Sequence, residues 1–319
     1  MPKQLIKQDL STLEKIIGHL PYVRYLVTTI LNYRRTYRNY ISIILHILKK
    51  DYPVEAILRN NERIVLHNHT EAFFLTVVNG HKEIEYDISK DIVFVSLFPR
   101  FDNNNLRIKI YGAINNGDVS IFLRNEYMLP VKGKTVIDIG SNIGDSPILF
   151  ALSGANRVIG IEPFPKNYEL AKKNIESNNL SDRITLMLAG CASNSSYITI
   201  DPEYESNIKS RLRDFNQGIR VPLVTLENIL NENNVQPGNA VLKMDCEGCE
   251  YDIIMSASED TLSKFSDIQI EYHHGYRGLK ERLEKAGFKV VTTRPMLHYR
   301  SNYISVPRAY VGHLYARQN

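Results

Sequence analysis

The sequence predicts an α/β protein: a doubly wound, seven-stranded Rossmann-like sheet preceded by a smaller α+β region. From about residue 134 onward, apolar runs of strand length alternate with helical stretches, which is typical of a parallel sheet with helices on both faces. A turn containing two glycines follows the first of these runs, as it does in nucleotide-binding sheets. The last two strand-like runs have no helix between them, so they are expected to form an antiparallel hairpin.

The composition is that of a globular chain, with 43% apolar and 23% charged residues among 319. No apolar run approaches the roughly 20 residues that a membrane span needs, and the start lacks the apolar core of an export signal. Three cysteines do not make a disulfide framework. These observations predict a cytoplasmic protein.

The first 50 residues are basic. They hold nine lysines and arginines against two acids, a net charge of +7, whereas the rest of the chain carries −3. Their apolar spacing predicts helices over 4–20 and 22–50, separated at Pro21. We expect the chain to divide into an N-terminal region, 1–117, and a second domain, 118–319.

Within the basic segment, the stretch YRRTYRNY alternates arginines with tyrosines. Such a pattern can bind nucleic acid, can lie on an anionic membrane surface, or can belong to a helix whose arginines are simply solvated. All three interpretations stay open, and no feature predicts an oligomeric state.

Between residues 55 and 125 the pattern changes to short strands. AILRNNERIVL predicts a hairpin around Asn60 and Asn61. Four further runs predict strands: KEIEYDI, DIVFVSL, LRIKIYG and DVSIFL. In the second domain the buried strands are TVIDIG, RVIGIEP, ITLMLAG, AVLKMD and IQIEYH, and the final hairpin is FKVVTTRP with AYVGHLYAR.

The turn after the first buried strand, IGSNIGDS, predicts a nucleotide site. Gly140 and Gly144 permit a tight turn and a close approach of ligand to backbone. Glu162 ends the next strand, where a carboxylate can accept the ribose hydroxyls. The G-x-x-x-G spacing and the preceding Asp138 suit a cationic ligand better than a pyrophosphate, so we expect S-adenosylmethionine and not NAD.

Four blocks of the chain resemble FkbM-type methyltransferases: VIDIGSNIGDS, VIGIEPFPKNYELAKKNIESNN, VPLVTLENIL and VLKMDCEGCEYDII. The resemblance covers about 118 to 310 and implies a class I enzyme that uses S-adenosylmethionine, commonly to O-methylate sugars, glycolipids or polyketides. It also implies a sheet with its last, antiparallel strand inserted between two others. The cofactor contacts that the resemblance implies are Asp138, Gly140, Ser141, Asn142, Gly144 and Glu162. From their positions at the ends of the neighbouring strands we add Pro163, Ala189 and Asp245.

The acceptor is expected beyond the ends of the fourth and fifth strands. We predict catalytic roles for Asp245, Glu247 and His273, with His273 as a general base because an ordinary imidazole titrates near neutral pH. Asp245, Glu271 and His273 could instead hold a divalent metal, although the spacing does not demand one. The CEGC stretch, Cys246 to Cys249, is interpreted as small-residue packing, neither a zinc site nor a redox pair.

Three functions remain open at this point. The leading one is O-methylation of a small-molecule or glycan hydroxyl. An RNA methyltransferase could use the basic segment, but the chain has MDCEGCE where base N-methylating enzymes commonly carry N/D-P-P-Y. A cofactor-binding protein without turnover is the third.

Overall fold

The computed structural model describes residues 10–97, 106–124, 127, 129–202, 214–299 and 308–318. The chain forms two compact units. One unit is Val23–Arg124, and the other combines the residues up to Tyr22 with those from 125 onward. This division differs from the expected boundary at 117/118, because residues 10–22 pack with the larger unit: Leu10 lies in one buried cluster with Leu297 and Tyr310.

The first 124 residues contain five α-helices and five strands among those that the structure describes. In chain order they are α1 (Thr12–Ile17), α2 (His19–Thr36), α3 (Tyr40–Lys49), β1 (Val54–Ile57), β2 (Arg63–Leu66), α4 (His69–Val78), β3 (Ile84–Asp87), β4 (Ile92–Leu97), β5 (Leu106–Tyr111) and α5 (Ser120–Leu123). The predicted hairpin is confirmed, since β1 and β2 pair antiparallel, and β3, β4 and β5 form a three-stranded antiparallel sheet.

Two predictions for this region are wrong. The helix break falls at Gly18 and again between α2 and α3, and not at Pro21. Residue 21 lies in the first turn of α2, where a backbone N–H has no partner within the helix. A proline there, which lacks this N–H, therefore costs the helix no hydrogen bond. The run DVSIFL forms α5 instead of a strand, with its apolar side chains buried along one turn. The first residues of the predicted 4–20 helix lie outside the described residues.

The larger unit carries the remaining elements. They are β6 (Thr135–Ile139), α6 (Asp145–Leu152), β7 (Arg157–Glu162), α7 (Pro165–Ser177), β8 (Ile184–Leu188), β9 (Gly190–Cys191), β10 (Ser196–Ile200), β11 (Ile219–Val224), α8 (Leu226–Glu232), β12 (Ala240–Met244), α9 (Glu250–Ser256), α10 (Glu259–Ser263), β13 (Phe265–Tyr272), α11 (Arg277–Lys285), β14 (Phe288–Thr292), β15 (Met296–Tyr299) and β16 (Arg308–Gln318). All five buried strands predicted from the sequence are present.

The main sheet has the order β14-β16-β13-β12-β6-β7-β8, and β15 pairs with the start of β16. β6, β7, β8, β12 and β13 are parallel, whereas β16 is antiparallel to both of its main neighbours. The α/β class and the inserted antiparallel strand are therefore confirmed. The described sheet counts eight strands, one more than expected, because of β15.

Register separates the two faces of the central strands. Ile139, Met244, Ile270 and Leu314 are paired across β6, β12, β13 and β16 and are all buried in one apolar cluster. The adjacent row of paired residues is polar. It aligns Asp138 of β6, Lys243 of β12, Gln269 of β13 and Tyr315 of β16. Because paired residues project to the same face, this polar row defines the functional side of the sheet.

Candidate functional site

The turn between β6 and α6 has a backbone that only certain residues tolerate. Gly140 has a φ of 82°, Asn142 of 46° and Gly144 of 85°. A β-carbon on Gly140 would stand 2.0 Å from the carbonyl oxygen of Asp245, so this position requires glycine. The turn thus brings the end of β6 into backbone contact with the end of β12.

Glu162, the last residue of β7, is held against this turn. Its Oε2 accepts a hydrogen bond from the Asn142 backbone N–H at 2.9 Å, and its Oε1 accepts one from Phe164 N–H at 3.0 Å. Burial raises the pKa of Glu162 to about 8, despite these two donors. Each oxygen keeps a further lone pair, so the carboxyl is positioned to take a ligand's hydroxyl groups.

The other predicted cofactor residues surround the same turn at different depths. Gly140, Asn142, Pro163 and Asp245 are partly exposed. Ser141, Gly144, Glu162 and Ala189 are buried, and the Ala189 N–H donates to the Glu162 carbonyl. The Ser141 hydroxyl is buried with no hydrogen-bond partner among the described residues. Gly144 occupies the N-cap position of α6.

Asp138, predicted as a cofactor contact, lies beneath the turn. Its side chain is fully buried, its Oδ2 accepts from the Ser146 hydroxyl at 2.6 Å, and its Oδ1 lies 3.0 Å from Nζ of Lys243. Lys243 also donates to the Gly140 carbonyl at 2.8 Å. Burial opposes the charge of Lys243, but the Asp138 and Asp245 carboxylates outweigh it and raise the lysine pKa. Asp138 therefore anchors a lysine that supports the turn, and its contact with the cofactor stays a prediction.

The three predicted catalytic residues do come together, at the carboxyl ends of β12 and β13. Nε2 of His273 lies 3.9 Å from Asp245 Oδ1 and 3.5 Å from Glu247 Oε2. Two further acids complete the group: Glu271 Oε1 lies 3.5 Å from Nε2, and Glu250 Oε1 lies 2.9 Å from Nδ1. We call Asp245, Glu247, Glu250, Glu271 and His273 the acidic cluster.

The electrostatics of the acidic cluster contradict the role of His273 as a base with an ordinary pKa. Burial would lower that pKa, but the carboxylates of Glu250 and Glu247 dominate and raise it to about 10. In the protein alone the ring is therefore an imidazolium at neutral pH and has no lone pair with which to accept a proton. Burial and the neighbouring Asp245 raise the pKa of Glu271 to about 8.

Sequence reasoning missed three residues here. Lys243 and Glu250 both lay in the quoted VLKMDCEGCEYDII block without an assigned role. His313 on β16 pairs with Glu271 on β13; its buried Nδ1 has no hydrogen-bond partner among the described residues, and burial lowers the pKa of the ring. The sequence carried a signal for the polar face of β13, which His313 adjoins. In IQIEYH, Gln269, Glu271 and His273 alternate with apolar neighbours.

The CEGC turn also differs from expectation. Cys246 and Cys249 form a disulfide that spans Glu247 and Gly248, a bond that the sequence did not predict. Both residues also pack against the buried apolar cluster, as the interpretation as small-residue packing expects. Glu247 has a φ of 58°, a left-handed conformation that non-glycine residues adopt only at a cost. The bridge closes the turn that carries Glu247 into the acidic cluster.

Comparison with known proteins bears on this site. The family model described as "Methyltransferase FkbM domain" matches residues 138–290, which include the glycine turn, Glu162 and the acidic cluster. Residues 138–290 form an FkbM-type methyltransferase domain. The resemblance seen in the four sequence blocks is thereby confirmed for this part of the chain.

Other similarities of this chain to known proteins are shorter or more distant. The ribosomal protein L11 methyltransferase of Tolumonas auensis is 40% identical over 60 residues, which are 19% of this chain and 20% of that protein. The chain thus matches only a fifth of this curated relative's length.

Two solved structures also align. The methyltransferase FkbM of Methylobacillus flagellatus has 17% identity and a TM-score of 0.40, covering 59% of this chain and 45% of its own. The precorrin-6y C5,15-methyltransferase of Geobacter metallireducens has 13% identity and a TM-score of 0.32, covering 59% and 82%.

The basic N-terminal segment lies apart from these residues in sequence. On α2 the apolar residues Val23, Leu26, Val27, Ile30 and Leu31 are exposed. Arg34, Arg35 and Arg59 line a surface pocket together with Leu31. Among the described residues, no helix has the length and apolar character to span a membrane. Contact of this segment with nucleic acid or an anionic membrane stays a prediction.

Proposed function

We propose that this protein is an S-adenosylmethionine-dependent methyltransferase that transfers the methyl group to a hydroxyl of a sugar, glycolipid or other small metabolite. The observation that carries the proposal is Glu162, fixed by two backbone amides beside the glycine turn of an FkbM-type domain. A carboxyl so placed suits the two hydroxyls of a ribose.

The residues around the turn fit this cofactor. Glu162 and Pro163 would hold the ribose end, Ala189 would border the adenine, and Gly140 to Asn142 would approach the methionine portion with backbone and with the partnerless Ser141 hydroxyl. When bound, S-adenosylmethionine supplies an electrophilic methyl group. Lys243 and Asp138 support the turn from beneath and keep its geometry fixed.

Asp245 is the residue that we assign to the acceptor hydroxyl. It follows β12, its backbone N–H donates to the Ile139 carbonyl at 3.0 Å, and its side chain is 30% exposed. It therefore stands between the cofactor turn and the acidic cluster, where it can accept the hydroxyl hydrogen bond and align the oxygen for displacement. His273 carries a proton and orients the neighbouring carboxylates.

Calorimetry tests the cofactor half of the proposal. We expect S-adenosylmethionine to bind more tightly than NAD, and Glu162→Ala to weaken it by about 1–3 kcal/mol, roughly 5- to 150-fold. Glu169→Ala, an exposed acid on α7, is the matched control and should bind normally. Tighter binding of NAD would refute the assignment.

The acceptor half needs a separate measurement. With radiolabelled methyl donor, we expect transfer to hydroxyl-bearing glycans or small metabolites, and a loss of rate of about 100-fold or more in Asp245→Asn. Transfer to RNA alone would contradict the acceptor class while leaving methyl transfer intact. Cofactor binding without transfer to any of these would indicate a binding protein.

A further inference from the structure

Helix α2 exposes an apolar face. Five aliphatic residues are between 42 and 56% exposed and share the i, i+3, i+4, i+7, i+8 spacing of one helical face: Val23, Leu26, Val27, Ile30 and Leu31. A different face of α2 packs against the protein, since Tyr33 and Thr36 are buried. A surface helix normally turns its apolar face to the core, so the exposed face of α2 has the character of an interaction surface.

Arginines adjoin this face at the C-terminal end of α2. Arg34 comes three residues after Leu31 and four after Ile30, so it continues the same helical face. Arg34, Arg35 and Arg59 line a surface pocket together with Leu31. Arg59 Nε also donates to the Arg34 backbone carbonyl at 2.9 Å, which holds the Arg59 guanidinium beside the helix end. Guanidinium groups gathered in this way suit the oxygens of a phosphate.

No acidic residue offsets these cations along the two basic helices. From residue 15 to residue 50 the sequence contains seven lysines and arginines and neither aspartate nor glutamate. Helix α3 repeats the combination, because Ile41, Leu45 and Leu48 are exposed at helical spacing and Lys49 is exposed at its end. Exposed aliphatic residues beside uncompensated cations are typical of helices that lie on anionic membranes.

Nucleic acid fits this surface less well. Stacking on bases needs exposed aromatic rings, but Tyr33 and Tyr37, which flank Arg34 and Arg35, are 4% and 0% exposed. The Tyr37 hydroxyl also donates to the Ala72 carbonyl at 2.8 Å, so this ring is held within the protein. The side chains that accompany the arginines at the surface are therefore aliphatic, and these suit acyl chains better than bases.

A second copy of the chain also fits less well. Pairing through the same face would bury Arg34 against another α2, and that helix contains no carboxylate to receive it. Burying a charge without a partner is costly. An anionic phospholipid surface supplies both chemistries at once, since its acyl chains can take Val27 and Leu31 while its phosphates take the arginines.

We propose that the exposed face of α2 binds an anionic phospholipid membrane, with Val27, Ile30 and Leu31 at the level of the acyl chains and Arg34 and Arg35 against the lipid phosphates. Another face of α2 stays packed on the protein, so the helix lies along the membrane surface. This binding does not depend on the proposed methyl transfer.

Vesicle sedimentation with the full chain tests the surface. We expect binding to phosphatidylcholine vesicles that contain phosphatidylserine, weaker binding to phosphatidylcholine alone, and a decrease as salt screens the arginines. Val27→Gln/Leu31→Gln should weaken binding at least about tenfold, because it removes apolar contact with the lipid. Met255→Gln/Val291→Gln, at positions of the larger unit that are 52% and 60% exposed, is the matched control and should bind as the wild type does. Thermal unfolding shows whether each variant is folded.

A fluorescence signature separates direct contact from an indirect effect. The chain contains no tryptophan, so one introduced indole reports the surroundings of a single position. Val27→Trp should emit at shorter wavelength when phosphatidylserine vesicles are added, because the indole enters the apolar part of the interface. Val291→Trp, at an exposed position on β14, should keep its emission.

Absence of binding to phosphatidylserine vesicles, or unchanged emission of Val27→Trp in their presence, would overturn the proposal. Self-association that Val27→Gln/Leu31→Gln abolishes, or binding of RNA in place of vesicles, would overturn it in favour of a second copy or a nucleic acid. S-adenosylmethionine calorimetry on the same samples keeps the two proposals distinct. Vesicle binding without cofactor binding would refute the proposed function alone, and the reverse result would refute the membrane surface alone.

Discussion

Gly140 and Asp245 end neighbouring parallel strands so close together that no side chain fits between them. A β-carbon on Gly140 would lie 2.0 Å from the Asp245 carbonyl oxygen and 2.9 Å from its carbonyl carbon. This backbone contact thus fixes the position of Asp245 relative to the glycine turn at residues 140–144.

We expect Gly140→Ala to destabilise the protein by about 1–3 kcal/mol more than Gly133→Ala does. Gly133 is a matched control, because it too has a positive φ, 73° against 82°, but a β-carbon there meets nothing within 4 Å. Both substitutions carry the strain of a left-handed residue, and only the first adds a clash. Denaturant unfolding gives the difference, and equal losses in the two variants would contradict this explanation.

Lys243 and Asp138 form a buried ion pair, in which each charge is stabilised by the other. Removing one member leaves an uncompensated buried charge, so we expect Lys243→Met to cost about 3–5 kcal/mol of unfolding free energy. Lys289→Met, at an exposed position on β14, should change stability by less than about 0.5 kcal/mol. The double variant Lys243→Met/Asp138→Asn should recover part of the loss, and a fully additive cost would show that the two groups are not coupled.

Asp267 gives a pH-dependent contribution to stability. The Asp267 carboxylate accepts hydrogen bonds from Arg317 Nε at 2.7 Å, Ser266 Oγ at 2.9 Å and Lys134 Nζ at 3.2 Å. Burial opposes the ionisation of Asp267, but these three donors outweigh the burial and lower its pKa. A carboxyl with a depressed native pKa stabilises the fold above its unfolded pKa of about 4, and loses that contribution as the pH falls through the native pKa.

Asp267→Asn should therefore be less stable than the wild type by about 1–3 kcal/mol at pH 7. The gap should narrow below about pH 4 and close at still lower pH, because both chains then carry an uncharged group there. Unfolding curves measured from pH 7 down to pH 2 test this. Asp260→Asn, exposed on α10, is the control, and a gap in Asp267→Asn that stays constant with pH would rule out the charge as its origin.

The hypothesis of a membrane-facing basic segment can be tested with Arg34 and Arg35. Basic residues near an anionic bilayer contribute about 1 kcal/mol each, so replacing both by Gln should reduce binding to phosphatidylserine vesicles about 30-fold. Lys172→Gln/Lys173→Gln, two exposed lysines on α7, should bind as the wild type does. Equal partitioning of both double variants would exclude the arginines as the contact.

Continuous apolar runs predicted the main sheet well, because parallel strands buried on both faces are apolar along most of their length. The same reasoning failed for residues 118–123, where the apolar residues Val119, Ile121 and Phe122 suit one turn of helix as well as a strand. Strand ends predicted that Asp245, Glu247 and His273 would meet. The partners of Asp138 and His273 were not predictable, since Lys243 and Glu250 reach them through register and loop geometry that spacing alone does not encode.

The place of β16 in the sheet has a consequence for biosynthesis. On the ribosome, β13 and β14 emerge first, yet the finished sheet joins each of them to β16, which is translated after both. Until then both strands expose unpaired edges, which are prone to association with other nascent chains. We therefore expect soluble yield to depend on the completion of β16, and premature termination before residue 308 to leave an edge for chaperones to shield.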